Sequence, residues 1–343
     1  MSVRAASALV VTGHGFGHGI GLSQWGAEER ASAGQTYQEI LSFYYPGTQL
    51  QTIGDANVRV WLASKPQLRF GSGAPFTVRD AGGRTLKLAA GLYSLGVDGV
   101  LGSERLRLPL QALPGSAPLQ LGGTKFHGTL ALAVDGSKLQ AVNTLPLDDY
   151  VVDVVSSENP GYWPQQALRA QAVASRSFAL ASLRPDADFD VYPDDRSQNY
   201  HGMLKEFPSA QAAVAATRDQ VLSFGGRTIK AYFSAANGGR TSGVEDVWNS
   251  PSVPYLVSRP DTFDAKSPDT DWGPVTLDMT RLRAEFPQLP AMVASVDVAR
   301  NNAGRVSSLT FVGADGTRLQ VGGYAFQQRL GLRSTYLTLS ASY

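Results

Sequence analysis

The chain has 343 residues, of which 43% are hydrophobic and 17% are charged. This length allows about two domains, and this composition supplies enough apolar surface for a folded core. Thirty basic and 29 acidic residues give a formal net charge of +1. That balance argues against a nucleic-acid partner or an anionic membrane surface, since both need long-range electrostatic attraction.

The sequence contains no cysteine, which excludes disulfides, thiolate metal sites and a cysteine nucleophile. No segment approaches the ~20 consecutive apolar residues of a membrane-spanning helix, so we expect no membrane span. The apolar run at residues 5–11 is only about seven residues long, the lower limit for a signal peptide. We interpret it as the start of the folded protein.

Residues 12–27 form a glycine-rich segment, Thr-Gly-His-Gly-Phe-Gly-His-Gly-Ile-Gly-Leu-Ser-Gln-Trp-Gly-Ala. Its alternating glycines allow close approach to a ligand or positive φ angles, and His14, His18 and Gln24 supply polar groups. His14 and His18 are four residues apart, a spacing that brings two rings to one metal ion only in a helix, and this segment is a glycine loop. Neither a third histidine nor an acidic residue lies nearby in the sequence. We therefore predict no metal and no cofactor; a plain surface loop is the alternative.

Helices and strands follow in turn. A short helix is predicted over residues 23–33, and Thr36 with Glu39 forms a capping box that opens a second helix. Residues 57–143 consist of short alternating runs separated by turns such as the one at residues 80–83 and Asp135-Gly136, which predicts hairpins in an all-β segment. We expect this segment to be a scaffold or a platform that faces the ligand.

Residues 156–164 read Ser-Ser-Glu-Asn-Pro-Gly-Tyr-Trp-Pro and precede a helical pattern over residues 165–183. Because the residue before proline disfavours the α region, we predict that Glu158 lies on a stiff loop between two helices. Tyr162 and Trp163 would partly desolvate this carboxyl and raise its pKa, as a general acid requires. The alternative is that Glu158 only caps a helix or pairs with an arginine.

The chain resembles the SpoIID/LytB family of bacterial cell-wall proteins. The resemblance rests on residues 145–155, on Glu158-Asn159-Pro160 followed by the small-residue helix at residues 167–179, and on the glycine-rich segment around His18. In this family an acidic residue at the position of Glu158 is catalytic. The Gly-His-Gly motif usually follows the C-terminal region in the family, whereas here it precedes the rest of the chain.

Further segments also match the family. Residues 198–202 resemble a Gln-x-Tyr-x-Gly element, and Ser234 to Thr241 resembles its Ser-x-x-x-Gly-Gly-x-Thr turn. Between them we predict a helix over residues 210–217 and a hairpin, residues 221–224 with 228–233. His201 is more typical of a surface histidine than of a ligand, and no Gly-x-Ser-x-Gly elbow supports a serine nucleophile.

The resemblance implies a lytic transglycosylase that acts on peptidoglycan glycan strands. One carboxyl, Glu158, would act as acid and then as base. The alternatives are a LytB-like protein that binds glycan and stimulates an N-acetylmuramoyl-L-alanine amidase, or a hydrolytic muramidase that also uses Asp148, Asp149 or Asp153. The resemblance also implies export to the cell envelope, with the leader absent from this sequence.

We expect an α+β fold in which a helical catalytic core packs on mixed or antiparallel sheets, with a β-rich inserted subdomain. The expected segments are residues 1–50 with the Gly-His-Gly motif, the β-rich residues 57–143, and the SpoIID-like residues 144–343. Glu158 is the catalytic candidate. The candidate substrate-binding residues are His18, Gln24, Gln171, Arg176, Gln198, Tyr200, Ser234, Gly238, Gly239 and Thr241.

Two spatial predictions follow. Residues 18–24, 198–200 and 234–241 should line one groove around Glu158, because each combines glycine-rich or polar backbone with groups that suit a sugar. Residues 9–12 and 336–340 should be neighbouring strands of one sheet, because the displaced motif keeps its place only if the two end segments meet.

Overall fold

A computed structural model describes residues 2–4, 8–248 and 250–342, and it confirms the α+β class. The helices are α1 Gln24–Ser32, α2 Tyr37–Tyr44, α3 Leu147–Glu158, α4 Gln165–Leu180, α5 Pro208–Ala216, α6 Val244–Trp248, α7 Met279–Glu285 and α8 Gly323–Arg329. Two short 3₁₀ helices are Gly202–Leu204 and Asp264–Lys266. The strands are β1 Ser2–Arg4, β2 Ala8–His14, β3 Leu22–Ser23, β4 Gln49–Thr52, β5 Asn57–Lys65, β6 Gln67–Ser72, β7 Phe76–Arg79, β8 Thr85–Leu88, β9 Gly91–Gly96, β10 Val100–Leu101, β11 Glu104–Arg105, β12 Leu110–Leu113, β13 Leu119–Leu121, β14 Thr124–Phe126, β15 Thr129–Asp135, β16 Lys138–Pro146, β17 Gln220–Phe224, β18 Arg227–Thr228, β19 Phe233–Ser234, β20 Asp271–Asp278, β21 Val293–Arg300, β22 Val306–Gly313, β23 Arg318–Gly322 and β24 Leu337–Ser342.

The chain divides into two compact units. Unit 1 contains residues 1–48 and 231–343, and unit 2 contains residues 49–230. The predicted three-segment organisation describes the order along the sequence and stays a prediction. Within the described residues, every helix is too short or too polar to cross a membrane.

Unit 2 is built on a six-stranded antiparallel sheet in the order β5-β16-β15-β12-β7-β8. A four-stranded sheet, β14-β13-β6-β9, accompanies it, and a buried core contains Phe70, Val78, Leu95, Leu119 and Leu132. Strands β7 and β8 form a hairpin, as do β15 and β16, so both hairpins predicted from the turn residues are confirmed.

Helices α3, α4 and α5 of unit 2 pack against one another. Helix α4 brings small residues to this contact, and Ala172, Ser175 and Ala179 are fully buried. Small side chains let helix backbones approach closely, as the sequence predicted. The helix begins at Gln165, directly after Pro164, and ends at Leu180, three residues before the predicted end.

Unit 1 contains a three-stranded antiparallel sheet in the order β20-β2-β24. Val10 pairs with Ser340, and Val11 pairs with Leu339. The prediction that the two end segments are neighbouring strands is therefore confirmed. Residues 5–7 of the apolar N-terminal run lie outside the described residues, whereas residues 8–11 belong to β2.

The predicted hairpin near residue 225 is correct in its first strand and wrong in the length of its second. Strand β18 ends at Thr228 after pairing with β17. Phe233 and Ser234 instead form β19, which pairs in parallel with β3 at Leu22 and Ser23. The segment after Gly226 therefore contributes one short strand to each of two separate sheets. The sequence pattern looks like one continuous strand and does not show this division.

The capping box at the start of α2 is present as predicted. The Thr36 N–H donates to Glu39 Oε2 at 2.7 Å, and the Glu39 N–H donates to Thr36 Oγ1 at 3.3 Å. These bonds satisfy two backbone donors that otherwise lack partners at a helix start.

We expect Thr36→Ala to lower the free energy of unfolding of unit 1 by about 1 kcal/mol, the usual cost of losing an N-cap side chain. Thr36→Ser keeps the hydroxyl and is the matched control. Urea unfolding followed by far-UV circular dichroism measures the difference. Equal stability of the two variants would contradict the role of the capping box.

Candidate functional site

The candidate catalytic carboxylate lies at the C-terminal end of α3. Glu158 is the last residue of the helix, and Asn159 leaves it in an extended conformation with φ −127° and ψ 145°. Pro160 explains this ending, because the residue before proline is excluded from the α region. The Asn159 N–H still donates to the carbonyl of Val155 at 3.0 Å. Glu158 therefore belongs to the helix end, which corrects the predicted loop position by one residue.

Glu158 is partly buried, and its Oε1 accepts a hydrogen bond from the Asn199 N–H at 2.9 Å. Of the two aromatic residues predicted to shield the carboxyl, Trp163 is buried but Tyr162 is 82% exposed. The expectation that Tyr162 desolvates the carboxyl is therefore wrong. A backbone N–H donor stabilises the ionised carboxylate, whereas partial burial stabilises the neutral form.

The loop that contacts Glu158 is held by side chains that point inward on both sides of Asn199. Gln198 and Tyr200 are only 2% and 3% exposed. Gln198 Nε2 donates to the carbonyl of Ser175 at 3.3 Å, and the Tyr200 hydroxyl donates to Asn143 Oδ1 at 2.6 Å. These anchors fix the backbone between them, and that backbone presents its N–H to Glu158.

An open cleft of about 660 Å³ lies beside this loop in unit 2. The exposed His201 contributes to its wall, and His201 Nδ1 lies 3.1 Å from Ser157 Oγ. Lys65 and Arg69 add positive charge, and Phe126 adds an aromatic surface. Sequence reasoning gave His201 little weight, because a single histidine in a loop does not reveal its neighbours.

In unit 1, the two glycine-rich segments pack against each other. The Phe16 N–H donates to the Ala236 carbonyl at 2.8 Å, and the Ala236 N–H donates back at 3.1 Å. The Gly19 N–H donates to Ser234 Oγ at 3.2 Å, and the Gly19 carbonyl accepts from the Ser242 N–H at 2.8 Å. Two of the three segments predicted to line a groove thus lie together. Their convergence with Glu158 and residues 198–200 stays a prediction.

Asp264 organises the turn at Gly238 and Gly239. Its carboxylate accepts from the N–H groups of Gly238 at 2.6 Å and Gly239 at 3.2 Å, and also from the Ser23 hydroxyl in a short hydrogen bond. Burial raises the pKa of Asp264 to about 6, although the Ser23 and Gly238 hydrogen bonds act in the opposite direction. The N-cap residue of α1 is therefore joined to the glycine turn.

A second buried carboxylate, Asp261, contacts three partners. Arg30 Nη2 lies 2.8 Å from its Oδ1, while the Tyr44 hydroxyl and Asn237 Nδ2 donate to its Oδ2 at 2.6 and 2.8 Å. These contacts link α1 and α2 to the turn before Gly238. The sequence did not reveal this network, because Arg30 and Tyr44 lie more than 200 residues before Asp261.

His18 is partly buried and lies between aromatic rings of Tyr232 and Trp248, at 6.0 and 5.3 Å between ring centroids. Its Nδ1 accepts from the Ile20 N–H at 2.9 Å. Burial and the neighbouring positive charge of Arg305 lower the pKa of His18 to about 4. The imidazole is therefore neutral at physiological pH.

Most of the predicted substrate-binding side chains are buried. Arg176 is fully buried, and it donates from Nε to Asp148 Oδ1 at 2.8 Å and from Nη1 to the Gln220 carbonyl at 3.1 Å. Gln171 Nε2 donates to Ser175 Oγ at 3.0 Å. The other predicted residues with less than a tenth of their surface exposed are Gln24, Gln198, Tyr200, Ser234 and Thr241. His18, Gly238 and Gly239 keep partial exposure.

Sequence reasoning missed a cluster of acidic and histidine side chains in unit 2. His127 Nε2 lies 2.6 Å from Glu206 Oε1, and the fully buried Asp153 is close to both. Burial raises the pKa of Asp153 above its usual range, and the Glu206 carboxylate raises it further. His127 and Glu206 are 79 residues apart, so their spacing gave no metal-ligand pattern.

Residues 135–224 match the SpoIID family, described as Stage II sporulation protein. This segment contains Glu158 and Asn199. The chain is 31% identical over 199 residues to the Amidase enhancer of Bacillus subtilis, an alignment that covers 57% of this chain and 27% of that protein. It is 33% identical over 149 residues to Stage II sporulation protein D of the same organism, covering 38% of this chain and 42% of that protein.

An uncharacterized protein of Brachyspira hyodysenteriae is 37% identical over 139 residues, covering 40% of this chain and 38% of its own length. The alignments with these three relatives thus span between about a quarter and two fifths of each relative.

The packing of the two glycine-rich segments predicts a specific effect of Gly21→Ala. Gly21 has φ +68°, and an added Cβ would lie 2.1 Å from the Tyr232 carbonyl oxygen. Gly34 has φ +89° and no atom within 4 Å of its added Cβ, so Gly34→Ala is the matched control for backbone strain. We expect Gly21→Ala to lower the unfolding free energy by at least about 2 kcal/mol more than the control.

Differential scanning calorimetry measures both variants. Equal losses of stability would show that the close approach at Gly21 contributes nothing beyond the positive φ.

The lowered pKa of His18 predicts a loss of stability in acid. Between its unfolded value of 6.5 and its folded value of about 4, the unfolded chain binds the proton more readily, so stability falls as pH falls. This contribution is fully present above pH 6.5. His18→Asn keeps an acceptor for the Ile20 N–H and does not titrate.

We expect the wild type to lose about 1 to 2 kcal/mol more than His18→Asn between about pH 7 and about pH 5. Denaturant unfolding at the two pH values measures this difference. The raised pKa of Asp264 makes its contribution to the free energy of unfolding increase as pH falls. Asp264 is present in both proteins, so this contribution cancels from the difference. Parallel pH dependences would contradict the burial of a neutral His18.

Proposed function

We propose that this chain is a peptidoglycan lytic transglycosylase of the SpoIID/LytB type, because its residues 135–224 match the SpoIID family. It cleaves the β-1,4 bond between N-acetylmuramic acid and N-acetylglucosamine in glycan strands. The observation that carries the proposal is the position of Glu158, a partly exposed carboxyl at the end of α3 whose Oε1 is oriented by the Asn199 N–H.

One carboxyl is sufficient for the proposed reaction. Glu158 donates its proton to the glycosidic oxygen while the bond from that oxygen to C1 of the muramic acid breaks, giving an oxocarbenium-like transition state. The muramic acid's own C6 hydroxyl then attacks C1, and its proton passes to the Glu158 carboxylate. The products are a 1,6-anhydro sugar end and a free 4-hydroxyl, and Glu158 regains its proton.

The acids of α3 support a single-carboxylate mechanism over a hydrolytic muramidase. Ordinary glycosidases place two carboxyl groups on opposite sides of the bond that they cleave. Asp148 is paired with Arg176 at 2.7 Å, and Asp153 has no exposed surface. Asp149 is half-buried, and its carboxyl interacts with the charges of His127, Glu206 and Asp148. Asp148 is thus engaged in an ion pair, and Asp153 is enclosed.

We propose that backbone groups and a neutral imidazole make the sugar contacts. His18 is uncharged at neutral pH, and Gly238 and Gly239 keep exposed backbone. The buried Gln198, Tyr200, Ser234 and Thr241 act as positioning residues that hold these loops. A neutral glycan suits the near-zero net charge of the chain better than a strongly charged ligand does.

A second candidate function is that of a non-catalytic amidase enhancer. It is favoured by the Amidase enhancer of Bacillus subtilis, whose alignment spans 57% of this chain. In that case the same loops bind glycan, and the partner is an N-acetylmuramoyl-L-alanine amidase. Under either function we propose that the protein works in the cell envelope after export.

The test is Glu158→Gln, assayed on purified cell wall with and without stem peptides. We expect glycan cleavage to fall about 10²- to 10⁴-fold, because the amide is a poor proton donor. The melting temperature should barely change, since the amide oxygen can still accept from the Asn199 N–H. Asp135→Asn changes an exposed carboxylate at the end of β15 in unit 2; it is the matched control and should keep activity.

Mass spectrometry of the products separates the alternatives. Anhydro-muramic ends support the transglycosylase, and reducing ends without anhydro sugar indicate a muramidase. If the wild type cuts nothing but accelerates a purified amidase, the enhancer function is correct. Full activity in Glu158→Gln would remove this residue from the mechanism.

A further inference from the structure

Three potential metal ligands from distant parts of the sequence lie together in unit 2. His127 follows β14, Asp153 lies in the middle of α3, and Glu206 precedes α5. Their ligand atoms all lie within 4.8 Å of one another. His127 Nε2 and Glu206 Oε1 are 2.6 Å apart.

The state of Asp153 distinguishes this cluster from a surface group of acids. Its side chain is fully buried beside the Glu206 carboxyl and the Tyr200 hydroxyl, but among the described residues neither carboxylate oxygen accepts a hydrogen bond of good geometry. A buried carboxylate without a partner is strongly unfavourable, and buried polar atoms in native proteins nearly always have one. A positively charged ligand would satisfy both oxygens.

The surroundings of the cluster fix its geometry and add negative charge. Asn143 Nδ2 donates to the His127 carbonyl at 2.8 Å, which holds the backbone at this histidine. Gln211 Nε2 lies 3.4 Å from Glu206 Oε2. Asp149 is one helical turn before Asp153 on the same face of α3. Hydrogen bonds around the ligands are characteristic of built metal sites.

We propose that His127, Asp153 and Glu206 bind a divalent transition-metal ion, with Zn²⁺ preferred. One imidazole nitrogen and two carboxylate oxygens suit both Zn²⁺ and Mn²⁺, and the general order of affinities favours zinc. Zinc ligands lie about 2.0 to 2.2 Å from the metal, so small side-chain rotations would bring these atoms into its coordination sphere.

The expected role of the ion is to stabilise the structure around the Glu158 loop. Asp153 lies five residues before Glu158 in α3, and Glu206 lies a few residues after the loop that contains Asn199. An ion bound to both would tie this loop to the helix. This inference does not depend on the proposed transglycosylase activity, because metal binding is measured without substrate.

The experiment uses the full chain after chelator treatment and dialysis. Zinc chloride is titrated by calorimetry, and cobalt chloride is titrated while visible absorption is recorded. We expect one ion per chain, a higher melting temperature with zinc, and a cobalt absorption band. Asp153→Asn and His127→Gln should each weaken zinc binding about a hundredfold or more, because losing a ligand costs more than the 10- to 100-fold effect of losing an outer hydrogen bond.

The matched control is Asp271→Asn. Asp271 pairs with His14 at 2.6 Å, but both side chains are at least half exposed. This variant should bind zinc like the wild type. Two ligand variants are used because Asp153 is fully buried and its variant could fail to fold. His127 is partly exposed, so we expect His127→Gln to fold and to test the site by itself.

Three results would overturn the proposal. One is the absence of stoichiometric binding in the wild type. Another is unchanged affinity in both ligand variants, which would indicate an adventitious ion only. The third result has two parts: Asp153→Asn melts at a higher temperature than the wild type in chelator, and zinc does not change the melting temperature of the wild type. Together they would show that Asp153 and Glu206 simply share a proton.

Discussion

The candidate site depends on the restriction that Pro160 places on the residue before it. Asn159 cannot continue α3, so the helix ends with Glu158 and the chain leaves in an extended direction. The C-terminal end of a helix carries partial negative charge, which is unfavourable for a carboxylate there. The Asn199 N–H offsets this by donating to the same carboxyl. A proline and one backbone amide therefore set both the position and the environment of the proposed acid.

The polar residues around the two candidate regions act mainly through the backbone that they hold. Gln198 and Tyr200 are buried on either side of Asn199, and Ser234 accepts from the Gly19 N–H. Asp264 accepts from two consecutive amides of the glycine turn. Side chains that sequence reasoning assigns to a sugar are thus better explained as internal supports. In the proposed function, exposed backbone and His18 are the groups left to contact the ligand, and such groups cost little conformational entropy when a ligand binds.

Local rules predicted much of the fold, and distant contacts account for most of what they missed. The capping box at Thr36, the hairpins of unit 2 and the pairing of β2 with β24 followed from turn chemistry, alternation and motif order. The short β18 and the exposed Tyr162 did not, because an apolar pattern does not identify which neighbour a residue meets. The sequence offered Asp153 only as one of three alternative acids for a muramidase, with no sign of metal ligands. Its contact with His127 and Glu206 arises only when β14, α3 and the segment before α5 are brought together.

The pairing of β2 with β24 also has a consequence for how the chain folds during synthesis. Unit 2 is continuous in sequence, so residues 49–230 can acquire their core as soon as they leave the ribosome. Unit 1 cannot, because Val11 pairs with Leu339 across a separation of more than 300 residues. Its central sheet stays incomplete until β24 has been translated, and contacts of such long range form slowly. During that interval β2 presents an unpaired apolar edge, the kind of surface that chaperones shield.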